Sequence, residues 1–125
     1  KPHFVLIGYS FGADVIPFIA NRLNTSLMNS LEKVLALSPD KYSDFKIGVG
    51  DLLHLTKSSK YDVLLEFKQI SRSKSVAFFG SKEDIDLRNH FIDQGIKTIV
   101  LTGNHHFNYD YGVISESLFK AITEK

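Results

Sequence analysis

Gly8-Tyr9-Ser10-Phe11-Gly12 is the feature that most restricts this chain. It stands directly after a continuous apolar run, residues 3–8, and directly before apolar residues at helical spacing. A short run apolar at every position reads as a strand buried on both faces of a parallel sheet. Phe11, Val15, Phe18, Ile19 and Leu23 then mark a helix over residues 10–21, with Pro17 as a kink or a late start of its regular part. A serine flanked by glycines at a strand-to-helix turn is the pattern of a nucleophile elbow. The turn is tight, and both glycines are expected where larger side chains would collide. Ser10 is then held at a helix N-terminus, where the dipole and the Phe11 N–H can stabilise an oxyanion.

The rest of the chain continues an alternation of strand and helix. Residues 31–37 form a second buried-strand pattern, closed by Ser38-Pro39. Residues 44–55 are ambiguous, because Phe45, Ile47 and Val49 alternate like a strand while Gly48 and Gly50 weaken it. Residues 58–60 read as a polar linker, and residues 61–70 fit a helix or a strand. A third strand spans residues 75–79 and ends at Gly80. An amphipathic helix over residues 85–94 stops at Gly95. A fourth strand covers residues 96–101, a loop rich in His and Asn covers 103–111, and a closing helix covers 113–122. This order predicts an α/β fold with a mostly parallel sheet flanked by helices. In such sheets ligands and chemistry gather at the C-terminal ends of the strands.

Three candidate groups fall at those ends: Ser10 after strand one, Glu83 after strand three and His105 after strand four. A carboxylate at the second place can orient an imidazole and stabilise its protonated form. Glu83, Asp84 and Asp86 compete for it, and an acidic first turn of the next helix explains those left over. Glu83 is preferred, three residues past the strand-end glycine. In the tandem His105-His106, one imidazole serves as base and the other as a packing or hydrogen-bonding neighbour. Metal binding by the pair is disfavoured, since the sequence offers no second ligand cluster. His3, His54 and His90 are scattered and read as surface or structural. Asp14 reads first as a helix N-terminal acid and Asp110 as a solvated loop acid.

Composition removes several classes. The 125 residues predict one domain, and a 43% hydrophobic content is enough for a packed core. A formal net charge of +1 without a basic run gives no reason to expect nucleic acid. The absence of Cys removes disulfides, zinc–thiolate sites and cysteine nucleophiles together. The apolar stretch over residues 4–20 is broken by Asp14 and Pro17 and is shorter than the ~20 apolar residues of a spanning helix, so no transmembrane segment is expected. The chain opens Lys1-Pro2-His3 and enters a strand at once, which suggests a piece of a longer protein. Phe4 to Ile7, apolar on both faces, is then expected to pair with a preceding segment or to drive self-association.

The order Ser, acid, His, each after a strand, resembles the second half of an α/β-hydrolase fold. A narrower resemblance rests on Ile7-Gly-Tyr-Ser-Phe-Gly-Ala-Asp14, Leu35-Ala-Leu-Ser-Pro39, Asp44-Phe-Lys-Ile47 and Gly103-Asn-His-His-Phe-Asn-Tyr-Asp-Tyr111. Together these are similar to the bacterial virulence-protein family VirJ/AcvB. That resemblance implies a periplasmic location, an association with type IV secretion, and hydrolysis of aminoacylated phosphatidylglycerol. It implies no metal or organic cofactor. It maps the base onto His105 with Phe107, with Asn104 where the usual setting has glycine. It also implies an ester or lipid-derived substrate, for which Tyr9, Asp14 and Asp110 are candidate contacts: the acids for a cationic ammonium, with aromatic side chains nearby for apolar surface. The rival expectation is a non-catalytic hydrolase-fold module that binds partners in a secretion or virulence system.

Overall fold

The computed structural model describes residues 2–43 and 61–124. The ambiguous segment 44–55, the linker 58–60 and His54 lie outside the described residues. The elements run β1 (Phe4–Tyr9), α1 (Phe11–Ala20), α2 (Thr25–Ser30), β2 (Leu31–Leu37), β3 (Tyr42–Ser43), β4 (Tyr61–Asp62), α3 (Val63–Lys68), β5 (Ser75–Gly80), α4 (Ile85–Asp93), β6 (Lys97–Leu101) and α5 (Tyr111–Thr123). Four strands form one sheet in the order β1-β2-β5-β6, and every neighbouring pair is parallel. The expected α/β architecture with a parallel sheet is therefore present. A separate antiparallel pair, Tyr42 with Asp62 and Ser43 with Tyr61, joins β3 to β4.

The strands are apolar at nearly every position because both faces of the sheet are covered. On one face, Val34, Ala36, Ala77 and Phe79 pack with Ala13 and Ile16 of α1, Val63 and Phe67 of α3 and Phe91 of α4. Phe91 meets Phe67 and Phe79 edge-on, with centroids 5.7 and 5.3 Å apart. Such tilted pairs contribute beyond simple burial. On the other face, Leu35, Leu37, Val76, Phe78 and Leu101 pack with Phe107 and with Ala121, Ile114 and Leu118 of α5. The strand residues thus alternate between two clusters by the period of two that strand geometry imposes. Among the described residues β1 pairs only with β2, and its Ile7 and Tyr9 remain substantially exposed.

Several local readings are refined. Segment 61–70 is neither wholly helix nor wholly strand: Asp62 ends β4 and caps α3, its carboxylate accepting from Leu65 N at 2.9 Å. Pro17 lies inside α1 without ending it, and the helix continues to Ala20. Helix α2 went unread in the sequence; Asn24 caps it by accepting from Leu27 N. Gly95 takes φ 80° just beyond α4, as a helix stop requires.

Candidate active site

The turn after β1 has the strain its sequence foretells. Ser10 takes φ 56° and ψ −114°, a conformation that L side chains adopt only under constraint. Its N–H is fixed by donation to Leu37 O at 2.8 Å, across to the end of β2. Gly8 is needed for close approach: a Cβ there would stand 2.4 Å from Gly12 O. The matching expectation for Gly12 fails, since a Cβ at that position meets nothing within 4 Å among the described residues. Among the described residues the crowding is one-sided, with Gly8 beneath the first turn of α1. Phe11 heads α1 with its ring largely exposed.

Three side chains from three strand ends meet in a line. Ser10 Oγ lies 2.9 Å from His105 Nε2. His105 Nδ1 lies 2.8 Å from Glu83 Oε1. Glu83 Oε2 accepts from Gly80 N at 2.7 Å and lies 3.0 Å from the Ser38 hydroxyl. These partners turn the Glu83 carboxylate back over the end of β5, and its side chain is only 10% exposed. Asp84 is spent elsewhere: it caps α4, accepting from Asp86 N. Asp86 is exposed in the first turn of that helix. Of the three competing acids, Glu83 alone touches the imidazole.

The histidine loop reaches the elbow because β5 ends in glycine. A Cβ on Gly80 would lie 2.0 Å from Asn104 O. The loop itself contains a feature that the sequence reading lacks. Phe107, Asn108 and Tyr109 take φ of 55°, 54° and 56°, forming a single left-handed 3₁₀ turn. Left-handed backbone costs non-glycine residues roughly 1 kcal/mol or more each. Two anchors hold the turn. Phe107 is buried in the α5-side cluster, and Asn104 Oδ1 accepts from His106 N at 2.8 Å. Asn104 thereby braces the turn.

His106 is held by other partners. Its Nδ1 is hydrogen-bonded to the Tyr9 hydroxyl, and its ring stacks on Tyr109 with centroids 5.0 Å apart and 10° between planes. The Tyr9 hydroxyl also donates to His105 O at 3.3 Å. Tyr9 thus ties the residue before Ser10 to the histidine loop. Beside this tie lies an apolar hollow of about 230 Å³ with Tyr9, Leu37, His106, Phe107, Tyr109 and Tyr111 in its wall.

The remaining candidates have structural partners. Asp110 caps α5, accepting from Val113 N at 3.2 Å. Asp14 is buried within α1 and accepts from Asp40 N at 2.7 Å. Burial pushes its carboxyl up to about 7; the Asp40 amide and the Ser43 hydroxyl oppose that shift, the Asp40 charge adds to it, and His105 opposes it. The sign of the consequence follows from linkage. Unfolded Asp14 releases its proton near its ordinary 3.8, whereas the folded protein retains it to about 7. The folded state therefore binds more protons across that window, and its stability falls as pH rises through it. The loss attributable to Asp14 is ~4 kcal/mol at most. Denaturant unfolding of wild type and Asp14→Asn from about pH 4 to about pH 7 checks this. The variant is expected to lose less stability over that range, and parallel curves would show that Asp14 does not carry the dependence.

Ser38 was missed as a site residue. Its signal was a polar residue closing an apolar strand, at the sheet end where the other candidates lie. Among the described residues no group of three or more His, Cys, Asp or Glu is placed to hold a metal, and no helix is long and apolar enough to cross a membrane. No curated protein and no solved structure matches the chain. The model of the family described as bacterial virulence protein (VirJ) matches residues 1–125, and the chain belongs to that family.

Proposed function

We propose that this protein is a serine hydrolase that cleaves an ester by acyl transfer. The observation that carries the reading is the continuous chain from Ser10 Oγ through His105 to Glu83, with contacts of 2.9 and 2.8 Å, built on a strained strand-to-helix turn. In this mechanism His105 Nε2 takes the Ser10 proton as Oγ forms a bond to the ester carbonyl carbon. The oxyanion develops beside the N-terminus of α1, whose dipole favours negative charge. The C–O bond to the alcohol breaks, and the alcohol leaves with the proton from His105. Water, deprotonated by His105, then attacks the acyl-enzyme and releases the acid, and Ser10 regains its proton. Glu83 holds the imidazole with Nδ1–H toward the carboxylate, which leaves Nε2 as the acceptor.

The apolar hollow next to Tyr9 supports a substrate with a hydrophobic portion. In its finer form the proposal is an aminoacylated phospholipid of the bacterial envelope, cleaved in the periplasm by a protein associated with type IV secretion. The double-histidine loop and elbow that resemble the virulence family support that form.

A fluorophosphonate probe tests the hydrolase reading directly. The full-length protein should be labelled, the label should map to Ser10, and Ser10→Ala should abolish it. A folded protein that resists labelling would instead be a binding module of the hydrolase type.

A further inference from the structure

The end of β2 touches all three of the residues that meet at the site. Leu37 O accepts the Ser10 N–H at 2.8 Å. The next residue, Ser38, donates its own N–H to Phe78 O of β5 at 2.7 Å. The Ser38 hydroxyl lies 3.0 Å from Glu83 Oε2 and 3.0 Å from the carbonyl oxygen of His105. Both neighbours are acceptors, so its single proton is shared between them or given to one. A carboxylate is the stronger acceptor.

The backbone at this position is costly. Ser38 takes φ 57° and is only 3% exposed. Glycine enters this region freely, whereas a serine there carries a strain of order 1 kcal/mol or more. Pro39, which follows, further restricts the residue before it. A buried serine held in glycine's conformation, with its hydroxyl on both the acid and the base residue's main chain, has a use for that hydroxyl. Glu83 needs it geometrically. His105 takes Oε1, while Gly80 N and Ser38 Oγ hold Oε2. Removing one of the two holders frees the carboxylate to rotate away from the imidazole.

We propose that Ser38 is a positioning residue of the site: its hydroxyl fixes the Glu83 carboxylate and the His105 main chain in one geometry, and so sets the aim of the imidazole at Ser10. The inference rests on the hydrolase reading above. Its distinguishing consequence is that stability and turnover separate. Ser38→Gly relieves the backbone strain and removes the hydroxyl together. The hydroxyl is buried and faces Glu83 and His105 O, so KM should change little.

The test measures hydrolysis of a p-nitrophenyl ester and thermal unfolding in the full-length protein. The variants are Ser38→Gly, Ser38→Ala, Glu83→Gln and the double variant Ser38→Gly/Glu83→Gln. Ser38→Gly is expected to melt higher than Ser38→Ala, which loses the same hydroxyl but keeps the backbone strain, while kcat falls roughly 10-fold, the scale of one lost hydrogen bond to a charged group. Ser38→Ala should lose kcat similarly. In the Glu83→Gln background the further loss from Ser38→Gly should be small, because both changes disable one unit. An active wild type with unchanged kcat in Ser38→Gly overturns the positioning role alone. Fully additive losses in the double variant overturn it as well. A wild type that turns over no ester and takes no fluorophosphonate label overturns the hydrolase reading, and the role falls with it.

Discussion

Ser10→Ala is expected to reduce ester hydrolysis by on the order of 10⁴-fold or more while leaving the fold intact. In the proposed mechanism the hydroxyl is the atom that attacks, and nothing else at the turn is placed to replace it. His105 Nε2 loses its 2.9 Å partner, but His105 is still held through Glu83. The Ser10 N–H to Leu37 O bond survives, because it is made by backbone. Alanine is as strained as serine at φ 56°, so the melting temperature should move little. Ser10→Gly should be equally inactive and at least as stable, since glycine takes that conformation without cost. Steady-state rates on a p-nitrophenyl ester, with melting curves of the same preparations, decide the matter. Near-normal turnover in Ser10→Ala would remove the hydrolase proposal. Loss of activity accompanied by loss of folding would show instead that the hydroxyl supports the structure.

The sheet and the elbow were legible because each depends on local pattern. Apolar runs at 34–37 and 76–79 have one economical use, a strand covered on both faces, and both clusters flanking the sheet are built from them. The elbow was legible because an apolar strand runs into Gly8-Tyr9-Ser10 and a helix begins directly after it. What sequence could not decide depends on side-chain direction across long separations. Glu83, Asp84 and Asp86 are chemically alike and almost adjacent. Only the Gly80 N–H and the Ser38 hydroxyl, the latter 45 residues away in sequence, make Glu83 the one that turns back. The left-handed turn over residues 107–109 contains no glycine, and of its three residues only Asn108 favours that conformation, so propensity gives little warning of it. It exists because Phe107 is pinned in the core while Asn104 braces the other side. Gly12 shows the opposite error. The residue type matched the pattern, but the collision expected to require it is absent among the described residues. Asp14 was read as an acid at a helix N-terminus, yet its burial and its bond to Asp40 N dominate its behaviour.

His105→Ala and His106→Ala should differ far more than two neighbouring histidines ordinarily would. His105 has both nitrogens engaged, Nε2 with Ser10 Oγ and Nδ1 with Glu83 Oε1, and in the proposed mechanism it moves the proton. Its removal takes away proton acceptor and proton donor at once, so the loss should match that of Ser10→Ala, again on the order of 10⁴-fold. The two residues act as one unit, so Ser10→Ala/His105→Ala should be scarcely worse than either single change. His106 contributes differently. Its Nδ1 meets the Tyr9 hydroxyl and its ring stacks on Tyr109, which braces the loop carrying His105. Losing a brace of that kind lets the loop drift without removing a reacting group. One hydrogen bond contributes about 1 kcal/mol net, which corresponds to roughly a 5- to 10-fold fall in rate. Tyr9→Phe removes the same bond from the other side together with the hydroxyl's bond to His105 O, and should cost at least as much as His106→Ala. Combining His106→Ala with Tyr9→Phe should be less than additive, because the bond between them is counted in both. The ranking is read from kcat/KM on one ester for all five variants. If His106→Ala proved the more damaging, proton transfer would run through His106 and the arrangement around His105 would be structural. If both single histidine variants lost only about tenfold, neither imidazole would be the base, and acyl transfer from Ser10 would lack its proton acceptor.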